Sequence, residues 1–496
     1  MILLLSSFLA LNWQSCVDDS AISCKQYNMS NHKIIFKLDA IPERTGIYIV
    51  GGAVRDRLLG ADSHDIDIAV QGNPQNLATQ IANRTHSRVI PLGQRKHALF
   101  RVVTPSHIID ITALQGGSIE ADLNRRDFTI NAIAYEVWTH NVIDVTRGIK
   151  DIRDRQIRLV SPTGYQADPI RLLRTYRLAS QLGFQIAADT RRLLHQEAAS
   201  IRKPAVERIQ AELASILAGP RVHYWLKSMT ASRILFHILP ELEALVGCRQ
   251  GRQHEFDVFD HSLQTVLALE NLTNGLINTK PEIASLFDSL NSQRRIHLHL
   301  AALLHDIGKP ISREKSSSGH IRFHDHDKVG ARISAAIGKR LRLPGKNIES
   351  IVQLVRHHLR PLHLFKAFKH NQLGSKGMTR FFMQTQGFTN DLLMLSLADM
   401  RAKTKEPMEF LNEFENFLAN VVIRHAAEFI FRSETPALIN GFDLIHTLHL
   451  TPSPLFKTIL RRIREAQLSG QITDAKEALA LAATIASQMS PSSGNS

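Results

Sequence analysis

A chain of 496 residues with 44% hydrophobic and 21% charged residues is too long for one ordinary core and too apolar for a disordered or collagen-like protein; length alone suggests about three domains. Sixty Lys and Arg against 46 Asp and Glu leave a net charge of +14 and a pI near 9.8, which favours a polyanionic partner such as nucleic acid or an anionic membrane surface. The three cysteines, Cys16, Cys24 and Cys248, are too few for a disulfide framework and lack paired zinc spacing, which suits a reducing compartment.

The first fifteen residues, MILLLSSFLALNWQS, are apolar and run up to Cys16, the outline of a lipoprotein leader or an anchor. They lack a basic n-region and are too short to span a bilayer, so neither export nor membrane insertion is expected and the protein is placed in the cytoplasm. Met29 stands shortly before the first clear strand and is an alternative start, which would leave the preceding residues outside any domain. From Ile47 to Val145 the runs IYIV, IDIAV, LFRVV and HIIDIT alternate with Gly-containing turns and helical stretches, predicting an α/β head. From Asp151 onward helical spacing takes over, as in IRLLRTYRLASQL, AVERIQAELASILA and HLHLAALLHDI, so the remainder is expected to be all-α. SREKSSSGH reads as a loop within it and SQMSPSSGNS as a disordered tail. No repeat at a fixed period is present.

The first chemical motif is IYIVGGAVRDRLLG, Ile47 to Gly60, where a β-branched run meets Gly51-Gly52 and a helical pattern opens. Glycines there let backbone amides approach phosphate oxygens, and Arg55, one turn on, has a guanidinium suited to bridging a triphosphate; a plain tight turn is the alternative. SHDIDIAV follows, with Asp65 and Asp67 alternating with Ile66 and Ile68. Strand alternation puts both carboxylates on one face, and two close acidic groups must be either solvated or neutralised by a cation. Mg²⁺, an oxygen-seeking ion that keeps waters and substrate phosphates in its shell, suits such a pair. Asp110 in HIIDIT is a third carboxylate on another predicted strand, either a further ligand for two-metal phosphoryl transfer or an exposed strand-end residue.

GGAVRD and DIDIAV, then RRDFTINAIAY (Arg125 to Tyr135), DVTRGIKDIRDRQIRLV (Asp144 to Val160), DPIRLLRTYRLASQLGF (Asp168 to Phe184) and ERIQAEL (Glu207 to Leu213) together resemble the ordered motif series of class II tRNA nucleotidyltransferases and bacterial poly(A) polymerases, over roughly residues 45 to 215. The resemblance implies a nucleotidyltransferase head with a small mixed sheet followed by all-α RNA-binding domains, an α+β chain overall. It implies Asp65 and Asp67 as Mg²⁺ ligands, and Gly51, Gly52, Arg55, Arg126, Asp168, Arg171 and Arg174 as contacts to the incoming nucleotide. In that family an Asp and an Arg spaced like Asp168 and Arg171 on a helix read the base edge of CTP or ATP, so that the protein is the template; three residues apart on one helix, the two would share a face, and an intrahelical ion pair is the alternative. Two departures stand out. Ala167 precedes Asp168 where the family usually has Glu, and the connection from Asp110 to the RRDFTINA motif is only ITALQGGSIEADLN. A short loop there is associated in the family with enzymes that add only part of the CCA end. The activity implied is addition of C and A to tRNA 3′ ends from CTP and ATP, with CC-only or A-only addition and polyadenylation left open.

A second resemblance lies further on. LHLAALLHDIGKP places His305 and Asp306 on an apolar segment, costly unless both are ligated or hydrogen-bonded. Upstream is HEFDVFDHSL with His254 and His261; downstream are RFHDHDKVGARI with His324 and His326, the pair His357 and His358, and LADMRAK with Asp399. This pattern resembles the HD phosphohydrolase superfamily and implies His261, His305, Asp306 and Asp399 as ligands of one divalent metal. Mixed imidazole and carboxylate donors suit Mg²⁺, Mn²⁺, Ni²⁺ or Co²⁺, and a metal-bound water would attack a phosphoester. His324, His326 and His357 are expected as supplementary or phosphate-binding residues. An HD region that follows the transferase in this family implies RNA-end phosphodiesterase or phosphatase action, and a phosphohydrolase with the head as RNA-binding module is the competing reading. RVHYWLK, LFKAFKHNQ and KTILRRIRE combine cationic with apolar side chains and are expected either to follow an RNA backbone or to form solvated helix faces. The expected division is an N-terminal extension (1–44), a nucleotidyltransferase head (45–150), a helical neck and RNA-binding region (151–245), an HD domain (246–405) and a C-terminal helical region with its tail (406–496).

Overall fold

The computed structural model describes residues 46–93, 98–251, 255–315, 317 and 321–489. The apolar leader, Cys16, Cys24, Met29 and His254 lie outside these residues, as does most of the expected tail. The chain packs as two compact units, one ending at Lys203 and one beginning at Pro204.

In the first unit a seven-stranded sheet has the order β3-β4-β5-β2-β1-β6-β7. Its strands are β1 (Ile47–Val50), β2 (Asp65–Val70), β3 (Val89–Leu92), β4 (Leu99–Val103), β5 (Ile108–Ala113), β6 (Ala134–Glu136) and β7 (Val142–Ile143). The sheet is mixed: β2 runs parallel to β5, and the other neighbours are antiparallel. Central β2 shows why the sequence folds this way. Ile66 and Ile68 are buried at 2% and 0% exposure while Asp65 and Asp67 face out, so β-branched residues fill one face and leave the carboxylates on the other. Helix α1 (Gly52–Leu58) follows β1 directly, and α2 (Pro74–Thr85) starts on Asn73, whose side chain accepts the Gln75 and Asn76 amides. The 111–124 connection carries a short helix, α3 (Ile119–Asn124), capped by Ser118. The unit ends in helices, among them α4 (Gly164–Ala167) and α5 (Arg171–Leu182).

The second unit is helical among its described residues apart from one small hairpin. The helices that carry the chemistry are α6 (Val206–Ala218), α7 (Val258–Thr273), α8 (Ser292–Leu304), α9 (His326–Arg340), α10 (Gly345–His357) and α11 (Thr389–Arg401). Helix α8 is buried along Leu298, Leu300 and Ala301 to Leu304, and its core position fixes where the chain emerges at His305. The stretch expected to be a loop around residue 316 instead begins as a strand, β8 (Arg313–Lys315), paired antiparallel with β9 (Ile321–Phe323), which delivers the chain to α9. A separate apolar cluster near the C-terminus joins Leu444, Ile459, Ile463, Ala478 and Ala482.

Candidate functional sites

The head site is built on the junction of β1, β2 and β5. Register sets Val50 opposite Asp67 and Asp67 beside Asp110, so all three predicted carboxylates share one end of the sheet. Gly51 follows with φ 76°, a conformation that favours glycine; a Cβ there would lie 3.1 Å from Arg126 Nη1 and 3.2 Å from Asp67 Oδ2. The missing side chain therefore keeps the space above Asp67 open. Asp67 faces solvent, so its desolvation is partial; burial first, then the like charges of Asp110 and Asp65, push its carboxyl up against the opposing pull of Arg126. An outward carboxylate pair whose mutual repulsion is only partly offset is a donor set that fits a hard cation.

Sequence reasoning missed Arg101. On β4 it lies directly opposite Asp110 and binds it bidentately, Nε and Nη2 each 2.8 Å from a carboxylate oxygen. Cross-strand pairing is the signal that a linear reading lacks. Asp110 is thus held by a cation of the protein itself, whereas Asp65 and Asp67 point outward beside it.

The predicted arginines occupy defined places. Arg126 is fixed by Asp122 at 3.0 Å. Arg55 donates to Asp56 at 2.8 Å and to Asn131 Oδ1 at 2.7 Å. Asn131 in turn donates to Asp127 at 3.1 Å, and Arg174 meets the same carboxylate at 3.0 Å. One chain of hydrogen bonds, Arg55 to Asn131 to Asp127 to Arg174, therefore ties two of the predicted nucleotide-contacting arginines together. Against the cost of burial, Arg174 and Asn131 hold the Asp127 carboxyl below the usual carboxylate range. Asp127 and Asn131 stand in the quoted RRDFTINA motif and had not been singled out.

The expectation that Asp168 and Arg171 share one helix is not met. Asp168 has extended backbone, φ −147° and ψ 96°, between α4 and the first residue of α5, Arg171. Pro169 is the cause, because the ring of a proline disfavours helical conformation in the residue before it. The Arg171 guanidinium meets the carbonyl oxygens of Gly164 at 3.4 Å and Arg125 at 3.0 Å.

The second site lies in the second unit. His305 and Asp306 follow the last residue of α8, Leu304, in a turn rather than on the helix. His261 on α7 and Asp399 on α11 reach the same point, and His261 Nε2 lies 2.9 Å from Asp399 Oδ1. His305 Nε2 is 3.1 Å from Asp306 Oδ2. The four predicted ligands are thus together, and all are nine-tenths or more buried. His326 and His358 join them, their Nε2 atoms 3.3 and 3.6 Å from Asp306 Oδ1. Of the three histidines expected as supplements, His326 arrives and the other two do not. His324 is exposed; His357 stacks on Phe388, and burial pushes its pKa to about 4. The neighbour His358 takes its place, since it continues the buried face of α10 that runs through Ile351, Leu354 and Val355. That spacing was readable.

Burial opposes charge here, yet His305 and Lys309 hold Asp306 well below the usual carboxylate range, as Lys403 and His261 do for Asp399. Lys309 Nζ is 2.6 Å from Asp306 and Lys403 Nζ 3.3 Å from Asp399. Beside His261 opens a cavity of about 360 Å³ lined by Gln250, Phe256, Lys403 and Lys405 among others. The Nε2 atoms of His305, His326 and His358 are buried without a hydrogen-bond partner, which is the arrangement a metal ion satisfies.

Three family models match in chain order: a poly A polymerase head domain over residues 47–158, a probable RNA and SrmB binding site of polymerase A over 183–245, and an HD domain over 258–399. The chain is 32% identical over 445 residues to the A-adding tRNA nucleotidyltransferase of Deinococcus radiodurans, covering 88% of this chain and 95% of that protein. It belongs to the tRNA nucleotidyltransferase family. The CC-adding member from Thermus thermophilus is equally similar, 32% over 441 residues, with 87% of this chain and 92% of that one covered. A CCA-adding enzyme solved with ATP shares the family fold at a TM-score of 0.62 and 21% identity, over 91% of this chain and 92% of the other. The head expected from the motifs and the helical remainder are this family's architecture. Among the described residues no helix is long and apolar enough to cross a membrane.

Proposed function

We propose that this chain adds C and A nucleotides to the 3′ end of tRNA from CTP and ATP without a nucleic-acid template, in the cytoplasm. The observation that carries the reading is the outward pair Asp65 and Asp67 beside open Gly51 and Arg126, on a chain that spans 95% of a tRNA nucleotidyltransferase. The tRNA 3′-hydroxyl oxygen bonds to the α-phosphorus and the bond to pyrophosphate breaks, the hydroxyl proton passing to solvent. Asp65 and Asp67 are assigned as Mg²⁺ ligands; the ion supplies charge neutralisation at the triphosphate and acidity at the hydroxyl. Arg101 keeps Asp110 in place beside them, making it a supporting carboxylate. Gly51 and Gly52 leave room for phosphate oxygens, Arg126 faces that opening, and the network through Asp127 orients Arg55 and Arg174 toward triphosphate or ribose. Asp168 and Arg171 present acceptor and donors for base choice from the turn ahead of α5 and from its first residue. The division proposed from the sequence, with a head to 150, a neck to 245, an HD domain to 405 and a helical end, serves this reading, and the HD part adds phosphohydrolase action on RNA ends with a divalent metal at His261, His305, Asp306 and Asp399.

A second reading, partial addition, is favoured by the short 111–124 connection and by full-length relatives that bear A-adding and CC-adding names. Purified protein with Mg²⁺ and transcripts ending before CCA, after one C and after CC, offered CTP, ATP or both, decides between them. Growth to a complete CCA end supports the first reading; a stop after CC, or extension only of the CC-ended transcript, supports the second. No extension of any transcript would sink both.

A further inference from the structure

We infer that the second unit carries a nucleobase site of its own: a cavity where α8 and α11 begin, which takes one unstacked base from RNA or from a free nucleotide. The cavity has a volume of about 370 Å³, with Phe388, Asn390, His425 and Phe429 in its walls, a size usual for small-ligand sites. It lies away from the metal cluster. Arg294 of α8 and Asp391 of α11 line it, whereas the same two helices bring His305 and Asp399 to the cluster at their far ends, roughly 12 to 17 Å further along each helix.

The wall chemistry selects an uncharged flat ring. The rings of His425 and Phe429 lie stacked, 5.8 Å between centroids and 17° apart, with Phe382 packed against both. They belong to a π-helical turn, His425–Ile430, that continues α12 (Met408–Arg424); such turns recur at functional sites. His357 stacks on Phe388 at 26°, so the histidine that misses the metal cluster supports this wall. Burial lowers the pKa of His425, which leaves its ring neutral at physiological pH. Arg294, the cation in the wall, is already spent: Nε and Nη2 meet Asp391 Oδ1 at 3.1 and 2.6 Å, and Nη1 meets the Ser289 carbonyl at 3.2 Å. A phosphate would therefore find no free cation among the described wall residues. A neutral base finds partners instead. Asn390 Oδ1 is buried with no hydrogen-bond partner among the described residues, an acceptor for a ring N–H or an exocyclic amine. No side chain caps the start of α11, so its first amides remain donors for a ring nitrogen or carbonyl. Bases lifted out of RNA are held in this way, stacked on aromatic side chains and read along their edges. The choice of a base over other flat rings rests on the reading of this chain as a tRNA enzyme; the cavity does not.

Photolabelling of the full chain tests the site. The probes are tRNA transcripts in which a photoreactive analogue sparsely replaces each base in turn and, separately, azidoadenosine and thiouridine as free nucleosides; labelled peptides are mapped by mass spectrometry. Label within residues 386–391 or 425–433 is expected, from the transcripts if the base belongs to RNA and from the nucleosides if a free nucleotide fills the cavity. Asn390→Ala, which removes the unpaired acceptor, and separately Ser433→Trp, which fills the cavity, are each expected to cut that label by about fivefold or more, the loss of one hydrogen-bonded or stacked base. Removing a buried acceptor that has no partner does not cost stability, so Asn390→Ala should keep the wild-type melting temperature, and extension at saturating transcript should be unchanged. No label in either segment with any probe, or label undiminished in both variants, overturns the site. Extension is read in the same samples, so a chain that labels here but extends no transcript fails as a transferase and not as a base-binding protein.

Discussion

Replacing Gly308 by alanine tests how the HD centre is assembled. Gly308 lies two residues beyond Asp306, and a Cβ there would sit 2.1 Å from the carbonyl oxygen of His326 and 2.6 Å from the amide nitrogen of Gly330. Contacts under 3.0 Å essentially never occur, so the start of α9 must retreat by about 0.9 Å. The atoms in the way are backbone and cannot swing aside as a side chain would. Overpacking of this kind costs about 1 to 3 kcal/mol, and for a unit of this size each kcal/mol lowers Tm by roughly 2 to 4 °C. His326 moves with its helix, and metal ligands tolerate only about 0.2 Å of error. Gly308→Ala is therefore expected to melt several degrees lower and to bind divalent metal more weakly at the HD centre that His326 adjoins, while tRNA extension by the head persists. Differential scanning fluorimetry and metal analysis read the two effects. An unchanged melting temperature together with wild-type metal content would refute the close-packing argument.

Burial pushes the pKa of His299 to about 4, with Nδ1 on the Leu217 carbonyl at 2.9 Å. Below pH 6.5 the unfolded chain takes up a proton there that the folded chain refuses until about pH 4, so stability falls as pH drops through that window. About 2 kcal/mol is lost between pH 7 and pH 5, and urea melts should show that part of the loss disappearing in His299→Gln. Asp127→Ala removes the anchor of Arg174 and Asn131 and should lower kcat/KM for the nucleotide by about tenfold or more, mostly through the arginines it orients; an unchanged value in steady-state assays would mean that the network is structural only. Arg101→Ala leaves Asp110 without its cation beside two other carboxylates, so the rise in Tm on adding Mg²⁺ should be larger in the variant than in the wild type, and an equal rise would contradict the neutralising role given to Arg101.

Much of this was legible in the sequence where a period was long enough to read. IYIV, IDIAV, LFRVV and HIIDIT became β1, β2, β4 and β5 because β-branched alternation persists over four to six residues. VIPL became a strand as well although a proline interrupts its run, and AYE and VI, of three and two residues, take their shape from partners rather than from their own pattern. Asp168 shows a local rule overlooked: the Asp-Pro step forbids the shared helix that spacing alone suggested. Arg101 shows a non-local fact that no spacing encodes, since its pairing with Asp110 depends on hairpin register. His358 lies between these cases. Its phase on the face of Ile351 and Leu354 was present in the sequence, and only the choice between two adjacent histidines went astray.

The central claim, that Asp65 and Asp67 make this chain a tRNA nucleotidyltransferase, is tested most directly by comparing the wild type with the Asp65→Ala, Asp67→Ala variant on a tRNA transcript lacking its CCA end, with CTP, ATP and Mg²⁺ present. The account predicts that the wild type extends the transcript and that the variant, with an unchanged circular dichroism spectrum, is slower by about a thousandfold or more, as expected when the carboxylates that would hold the phosphate-neutralising Mg²⁺ are removed. Extension at equal rates by the two proteins would contradict it.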